Sequence, residues 1–191
     1  QLSSVGAYGS CRGGVISESS QEMPLGIYER TKTDADNIVK KSNLSYVIVR
    51  PSNVFGKNMP NQSLKALVHA VRKGLFFFTG KENESLVNYI HLEDVVDALI
   101  CCRSHDNALG EVFIVSQSTT VENMIASLIS EEALEKKILR FPEFIVRFIV
   151  NFLKYIPGFP LTSSRVDALT NKCIYDSTKI QKNLGFRYSM T

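Results

Sequence analysis

At 191 residues the chain is long enough to bury a core, and 44% apolar with 21% charged residues is the balance of a globular protein. The net charge of +3 comes from Lys and Arg scattered along the chain, so no nucleic-acid footprint stands out, though a mild positive balance suits an anionic small molecule. The four cysteines, Cys11, Cys101, Cys102 and Cys173, lack paired metal-ligand spacing and read as reduced core thiols of a cytoplasmic protein, with no metal site expected.

The chain begins Gln1-Leu2-Ser3-Ser4, without a start methionine or a leader-like pattern, and reads as cut from a longer protein. Leu2–Ala7 is predicted to be a strand end, followed by a Gly- and Ser-rich loop over Gly9–Gly26. Ile27–Lys41 reads as a helix burying Ala35, Ile38 and Val39, and Ser45–Arg50 as a strand rich in β-branched residues. A helix is expected over Asn61–Lys73, a strand over Leu86–Ile90, and a helix over His91–Arg103 with Val95, Val96, Leu99 and Ile100 inward. Glu111–Ser116 is again strand-like.

The rest reads as mainly helical: Val121–Ile129, a segment opened by Pro142, Ser164–Thr170, and Ser177–Leu184 capped by Asp176 and stopped by Gly185. The most apolar stretch, Phe141 to Phe159, is interrupted by Arg147, Asn151 and Lys154, which form one polar stripe on a helix. A membrane span needs about 20 mostly apolar residues, so a packed or lid-like helix is expected there, with surface contact to a membrane left open.

Alternating strands and helices predict an α/β fold of parallel strands with right-handed crossovers, binding ligands at the carboxyl ends of the strands. Ser4 and Asn53 both sit just past such ends. No G-x-G-x-x-G or P-loop occurs, so a dinucleotide enzyme would be incomplete here.

Tyr28-Glu-Arg-Thr-Lys32 places a phenol and an ammonium on one helix face. A Tyr-x-x-x-Lys spacing is expected by chance roughly 0.5 times in such a chain, and a second match occurs at Tyr175-Asp-Ser-Thr-Lys179. Only Tyr28 follows a strand ending in Ser-Ser and precedes one ending in Arg50-Pro-Ser-Asn-Val-Phe-Gly56. An ordinary Tyr, with a pKa of about 10, is a poor base at neutral pH. A nearby ammonium and a positively charged nicotinamide ring would favour its phenolate, and Ser4 could hydrogen-bond the substrate oxygen on which Tyr28 acts.

Four segments occur in a telling order: Leu2-Ser-Ser-Val-Gly-Ala-Tyr-Gly9, Tyr28-x-x-x-Lys32, Arg50-Pro-Ser-Asn-Val-Phe-Gly56 and Val87-Asn-Tyr-Ile-His-Leu-Glu-Asp-Val95. Together with Tyr175-Asp-Ser-Thr-Lys-Ile-Gln-Lys-Asn-Leu-Gly-Phe186, they make the chain resemble the NAD-dependent epimerase/dehydratase family of extended short-chain dehydrogenases/reductases.

The resemblance implies the C-terminal portion of a Rossmann-type doubly wound parallel sheet plus a mainly helical substrate-binding region. Residues 1–56 would end the dinucleotide-binding domain, and 57–191 would form the substrate region, partly returning to the sheet. It further implies Ser4 as the substrate-orienting serine, Tyr28 as general acid/base and Lys32 as the residue binding the cofactor ribose. Ser52 would pass the nicotinamide, Asn53 would contact substrate, and Arg165 would lie at or next to a diphosphate-binding position. His91 and Asp94 match too and read as structural, near a helix start. The cofactor would be NAD or NADP, the partner a small molecule and not nucleic acid, with a homodimer as a further expectation.

Many sugar-nucleotide members carry a diphosphate-binding arginine where Val87-Asn88 stands here, which weakens that substrate class. Ser4, in place of a Thr-Asp-Glu set, argues against 4,6-dehydration. The leading expectation is an epimerase or oxidoreductase acting on a secondary alcohol or ketone of a nucleotide sugar, this piece alone being inactive. The alternatives are a reductase of an apolar carbonyl, hydroxysteroid or dihydroflavonol in type, motivated by Phe76-Phe77-Phe78 and Phe141–Phe159, and a non-catalytic cofactor-sensing relative.

Overall fold

Runs of β-branched and aromatic residues become short strands, and segments of helical periodicity become helices. A computed structural model describes residues 1–11, 13–57, 62–131, 138–153 and 162–190. Its elements begin with β1 (Gly13–Ile16), α1 (Ile27–Lys41), β2 (Ile48–Pro51), β3 (Asn53–Phe55) and α2 (Gln62–Arg72). There follow β4 (Phe78–Thr79), β5 (Leu86–His91), α3 (Leu92–Arg103), β6 (Val112–Val115), β7 (Gln117–Thr120) and α4 (Val121–Glu131). The last are β8 (Arg140–Phe141), α5 (Glu143–Leu153), α6 (Ser163–Leu169), β9 (Lys172–Tyr175) and α7 (Thr178–Leu184), with short 3-10 turns at Val5–Tyr8 and Asp106–Ala108.

The chain divides into two compact units. The first comprises Gln1–Met59, Asn88–Ser118 and Cys173–Thr191. At its centre β2 pairs with β6 in parallel, Ile48 opposite Val112 and Pro51 opposite Val115, while Leu2 bridges Val49 in parallel on the other side. The chain thus passes from the Leu2 segment through α1 to β2, a βαβ crossover. β3 pairs in parallel with β5, and β1 joins β9. Val49, Ile90, Val95, Ala98, Phe113, Val115, Ile180 and Leu184 fill the core beside these strands.

The second unit, Pro60–Val87 with Thr119–Lys172, is mainly helical. Val71 and Phe76 pack with Val121 and Ile125 of α4. Val146 and Val150 of α5 pack with Val166 of α6, and Arg147 reaches Glu143 at 2.7 Å and Asp167 at 2.9 Å. The opposite face of α5 exposes Phe144, Phe148 and Phe152. The described part of the apolar stretch, through Leu153, therefore carries a packed helix, α5, whose Arg147 is turned to α6 and whose aromatic stripe is turned outward. Lys154, expected on its polar stripe, lies outside the described residues. Among these residues no helix is long and apolar enough to cross a membrane.

Five local expectations are corrected. The Leu2–Ala7 strand stops after Ser3, because Ser4 caps the Val5–Tyr8 turn by accepting from the Gly6 N–H. The Gly9–Gly26 loop contains β1, whose two glycines hide its strand character from sequence. In α1 the buried residues are Thr33 and Asp36, whereas Ile38 is 71% exposed, because Asp36 is held inward by ionic and hydroxyl partners. In α3, Val95, Ala98 and Cys102 face the core, while Val96 and Ile100 point outward. Cys11 and Cys173 are not reduced thiols: pairing of β1 with β9 brings their Cα atoms to 5.8 Å, and they form a disulfide. Cys101 and Cys102 remain free.

Candidate active site

Three serines follow the carboxyl ends of three neighbouring parallel segments: Ser4 after Leu2–Ser3, Ser52 after β2 and Ser116 after β6. In open α/β sheets this edge is where ligands bind. Ser52 and Ser116 are buried, and neither hydroxyl has a hydrogen-bond partner among the described residues. Ser4 is half-buried, and its Oγ accepts from the Gly6 N–H at 3.1 Å, which leaves its own O–H to donate.

α1 is brought against this edge by small residues and by polar ties. A Cβ on Gly6 would lie 2.7 Å from Glu29 Cγ, so glycine lets the first turn of α1 approach the Val5–Tyr8 turn without displacing the Glu29 side chain. Gly9, at a φ of 75°, turns the chain back, and the Met23 N–H then donates to the Ala7 carbonyl at 2.9 Å.

Tyr28, on the first turn of α1, is 58% exposed, its ring available to a ligand. Lys32 sits one turn later, its Nζ 5.9 Å from the Tyr28 ring centroid and donating to the Leu2 carbonyl at 3.1 Å. The ammonium is thereby held beside the phenol with donors to spare.

The second spacing match behaves differently. Tyr175 belongs to β9 and Lys179 to α7, so no common helix face joins them. Burial pushes the Tyr175 phenol above its ordinary value, away from service as a base at neutral pH. Lys179 is engaged by Glu111 at 2.7 Å and the Val112 carbonyl at 3.0 Å.

Asn53 is exposed at the start of β3 and donates to the Asn88 carbonyl at 3.2 Å. Asn88, where an arginine had been the family expectation, is buried: its Nδ2 donates to the Cys173 carbonyl at 2.9 Å and its Oδ1 accepts from Ser118 at 2.6 Å. Arg165 lies on α6 in the second unit, exposed, with its backbone N–H capped by Thr162. His91 caps α3 by accepting from the Glu93 N–H, and buried Asp94 accepts from the Ser189 N–H at 2.8 Å, the Ser189 hydroxyl and the Met190 N–H. Among the described residues no cluster of three His, Cys, Asp or Glu could hold a metal ion.

One residue escaped the sequence reading. Asp36 continues the face of Tyr28 and Lys32 by one more helical step, and its side chain is fully buried. Its Oδ2 accepts from Ser3 Oγ at 2.7 Å, from Arg50 Nη2 at 2.8 Å and from Arg50 Nε at 3.2 Å. Arg50, 1% exposed, also reaches Glu22 at 2.7 Å and stacks over Tyr8. Burial alone would lower the Arg50 pKa, but its bonds to Glu22 and Asp36 outweigh that and keep it firmly charged. A carboxylate on the inward side of α1, with an arginine ending the next strand, was the signal available in sequence.

The family model described as the NAD dependent epimerase/dehydratase family matches residues 1–116. The chain belongs to this family. UDP-glucose 4-epimerase of Vibrio cholerae is 24% identical over 172 residues, spanning 88% of this chain and 51% of that protein. 3beta-Hydroxysteroid-dehydrogenase/decarboxylase isoform 2 of Arabidopsis thaliana is 25% identical over 184 residues, spanning 83% of this chain and 32% of its own length. The chain therefore spans a third to a half of these relatives.

Among solved structures, UDP-glucuronic acid 4-epimerase from Bacillus cereus in complex with NAD matches with a TM-score of 0.70 at 15% identity, covering 100% of this chain and 56% of that one. RMD from Pseudomonas aeruginosa complexed with NADPH matches at a TM-score of 0.67 and 16% identity, with coverage of 100% and 60%. These likenesses establish the Rossmann-type α/β fold of the epimerases for this family member.

Proposed function

We propose that the protein interconverts a secondary alcohol and a ketone with NAD or NADP, Tyr28 acting as the proton-transfer group. The observation that carries this is the accessible Tyr28 ring beside Lys32, on a helix tied through Lys32 to the Leu2–Ser3 segment that leads into Ser4. The residues present fit the ribose and nicotinamide half of a dinucleotide: the Lys32 ammonium has donors left for ribose hydroxyls, and Ser52 offers a buried hydroxyl without a partner among the described residues at the sheet edge.

When bound, the nicotinamide supplies the hydride acceptor and donor. In the oxidising direction Ser4 donates its O–H to the substrate oxygen and orients it. Tyr28 would take the hydroxyl proton as the carbonyl forms. Lys32 stabilises the phenolate charge. In the reducing direction the Tyr28 phenol returns the proton to the oxygen. That return of the proton would complete the alcohol in either configuration at the carbinol carbon.

A nucleotide sugar is the first substrate class, with Asn53 as its proposed contact in the first unit, supported by the similarity to UDP-glucose 4-epimerase. An apolar ring ketone is the second. It is favoured by the tied-down Asn88 and by the similarity to the hydroxysteroid dehydrogenase/decarboxylase. Thermal melting of the full-length protein with millimolar UDP or dTDP, in parallel with NAD(P)H oxidation assays on apolar ketones, tests the choice. A nucleotide-dependent rise in melting temperature is expected for the first class. No shift with either nucleotide, together with turnover of an apolar ketone, replaces it by the second.

A further inference from the structure

Two consecutive residues, Leu2 and Ser3, are each tied to α1: Lys32 donates to the Leu2 carbonyl at 3.1 Å and Ser3 Oγ donates to Asp36 at 2.7 Å. The residue that follows them is Ser4. Asp36 also holds Arg50 of β2 with the same oxygen, while its other oxygen, Oδ1, has no partner among the described residues. The Ser3 N–H in turn donates to the Val49 carbonyl at 2.8 Å, closing a loop of bonds from helix to strand to neighbouring strand.

A fully buried ion pair is a weak way to add stability compared with apolar packing of the same volume. Its geometric content is larger, because every atom of the loop has a fixed partner and the loop ends one residue from Ser4. We infer that Asp36 is a positioning residue for the Ser4, Tyr28 and Lys32 site: through Ser3 it sets how Ser4 faces α1, and through Arg50 it sets α1 against β2. Asp36 touches no substrate and acts through Ser3. The inference rests on the proposed roles of Ser4, Tyr28 and Lys32.

Asp36→Asn weakens the partner of a buried arginine and can fail to fold, so Ser3→Ala carries the test. It removes the hydroxyl link and leaves the Asp36 to Arg50 pair in place. In the full-length protein, Ser3→Ala is expected to lower kcat by about tenfold, since small misplacements of reacting groups are costly. Its KM for substrate and its Kd for NAD(P), titrated calorimetrically on cofactor-free protein, are expected to stay within about twofold of the parent, and Ser3→Thr, which keeps the hydroxyl, is expected to restore kcat.

A merely structural role predicts the reverse pattern: a lowered melting temperature with kcat per folded molecule unchanged, which overturns the inference. So does a Ser3→Thr variant as slow as Ser3→Ala. Tyr28→Phe, run alongside, separates the two levels. If it keeps full turnover, the site assignment and this inference both fall; if it abolishes turnover while Ser3→Ala does not slow, only this inference falls.

Discussion

Tyr28 and Tyr175 share a spacing to lysine and nothing else. The first is exposed on a helix with its ammonium alongside, and the second is half-buried on a strand, its lysine committed to Glu111. In full-length protein, Tyr28→Phe should reduce kcat by on the order of 10²–10⁴-fold with NAD(P) binding retained, while Tyr175→Phe leaves kcat near the parent's. Steady-state kinetics on both variants checks this, and equal losses would mean that the wrong pair was chosen.

Glu22 offers a residue-scale prediction of pH dependence. Burial tends to raise its pKa, but bonds to Arg50 and Lys40 overcome this and hold the carboxyl below its ordinary 4.5. A lowered folded-state value means that the stabilisation is present above 4.5 and is lost as pH falls through the folded value. Glu22→Gln should therefore be less stable than the parent at neutral pH, and the difference should shrink on acidification below that point. Urea midpoints measured from neutral to acid pH would show the two curves converging.

At the scale of elements, the bounds and order of the helices and of β2, β5 and β6 follow closely from periodicity, whereas the shorter strands β1, β3, β4, β7, β8 and β9 and the direction each helix faces do not. The range Ile27–Lys41 expected for α1 is the range observed, yet its inward residue is Asp36 and not Ile38. Periodicity counts apolar residues and is blind to a carboxylate whose partner, Arg50, lies on the next strand. Ser4, Tyr28, Ser52 and Asn53 could be named as candidates from sequence because their flanking motifs occur in order along one chain. The Asp36 network could not, because its members are joined only by folding.

The loop that follows the Ser4 turn depends on Gly9. A Cβ there, besides the strained positive φ, would collide with the Met23 carbonyl oxygen, which is backbone and has no rotamer to yield. Gly9→Ala should cost roughly 1–3 kcal/mol, read as a lower urea midpoint. Gly6→Ala meets only the flexible stem of Glu29 and should cost less.

At the scale of the whole molecule, no spacing rule could have paired Cys11 with Cys173, which are 162 residues apart and meet only because β1 joins β9. The remaining thiols are set apart from this pair, and burial pushes that of Cys102 up to about 11. Peptide mapping of unreduced protein should recover one cross-linked pair containing Cys11 and Cys173, with the buried Cys102 alkylated only after unfolding. Full alkylation of all four in the native, unreduced protein would contradict the pairing. Reduction should destabilise the first unit by on the order of 2–4 kcal/mol.

That one bond also makes most of the chain a closed ring. A protease that nicks any single peptide link between Cys11 and Cys173 opens the ring without shedding a piece, so the mass of the nicked product is unchanged but for one added water until a reductant is supplied. Limited digestion followed by gels with and without thiol would therefore give two different pictures of the same sample. The bands that appear only after reduction would mark where the ring was cut.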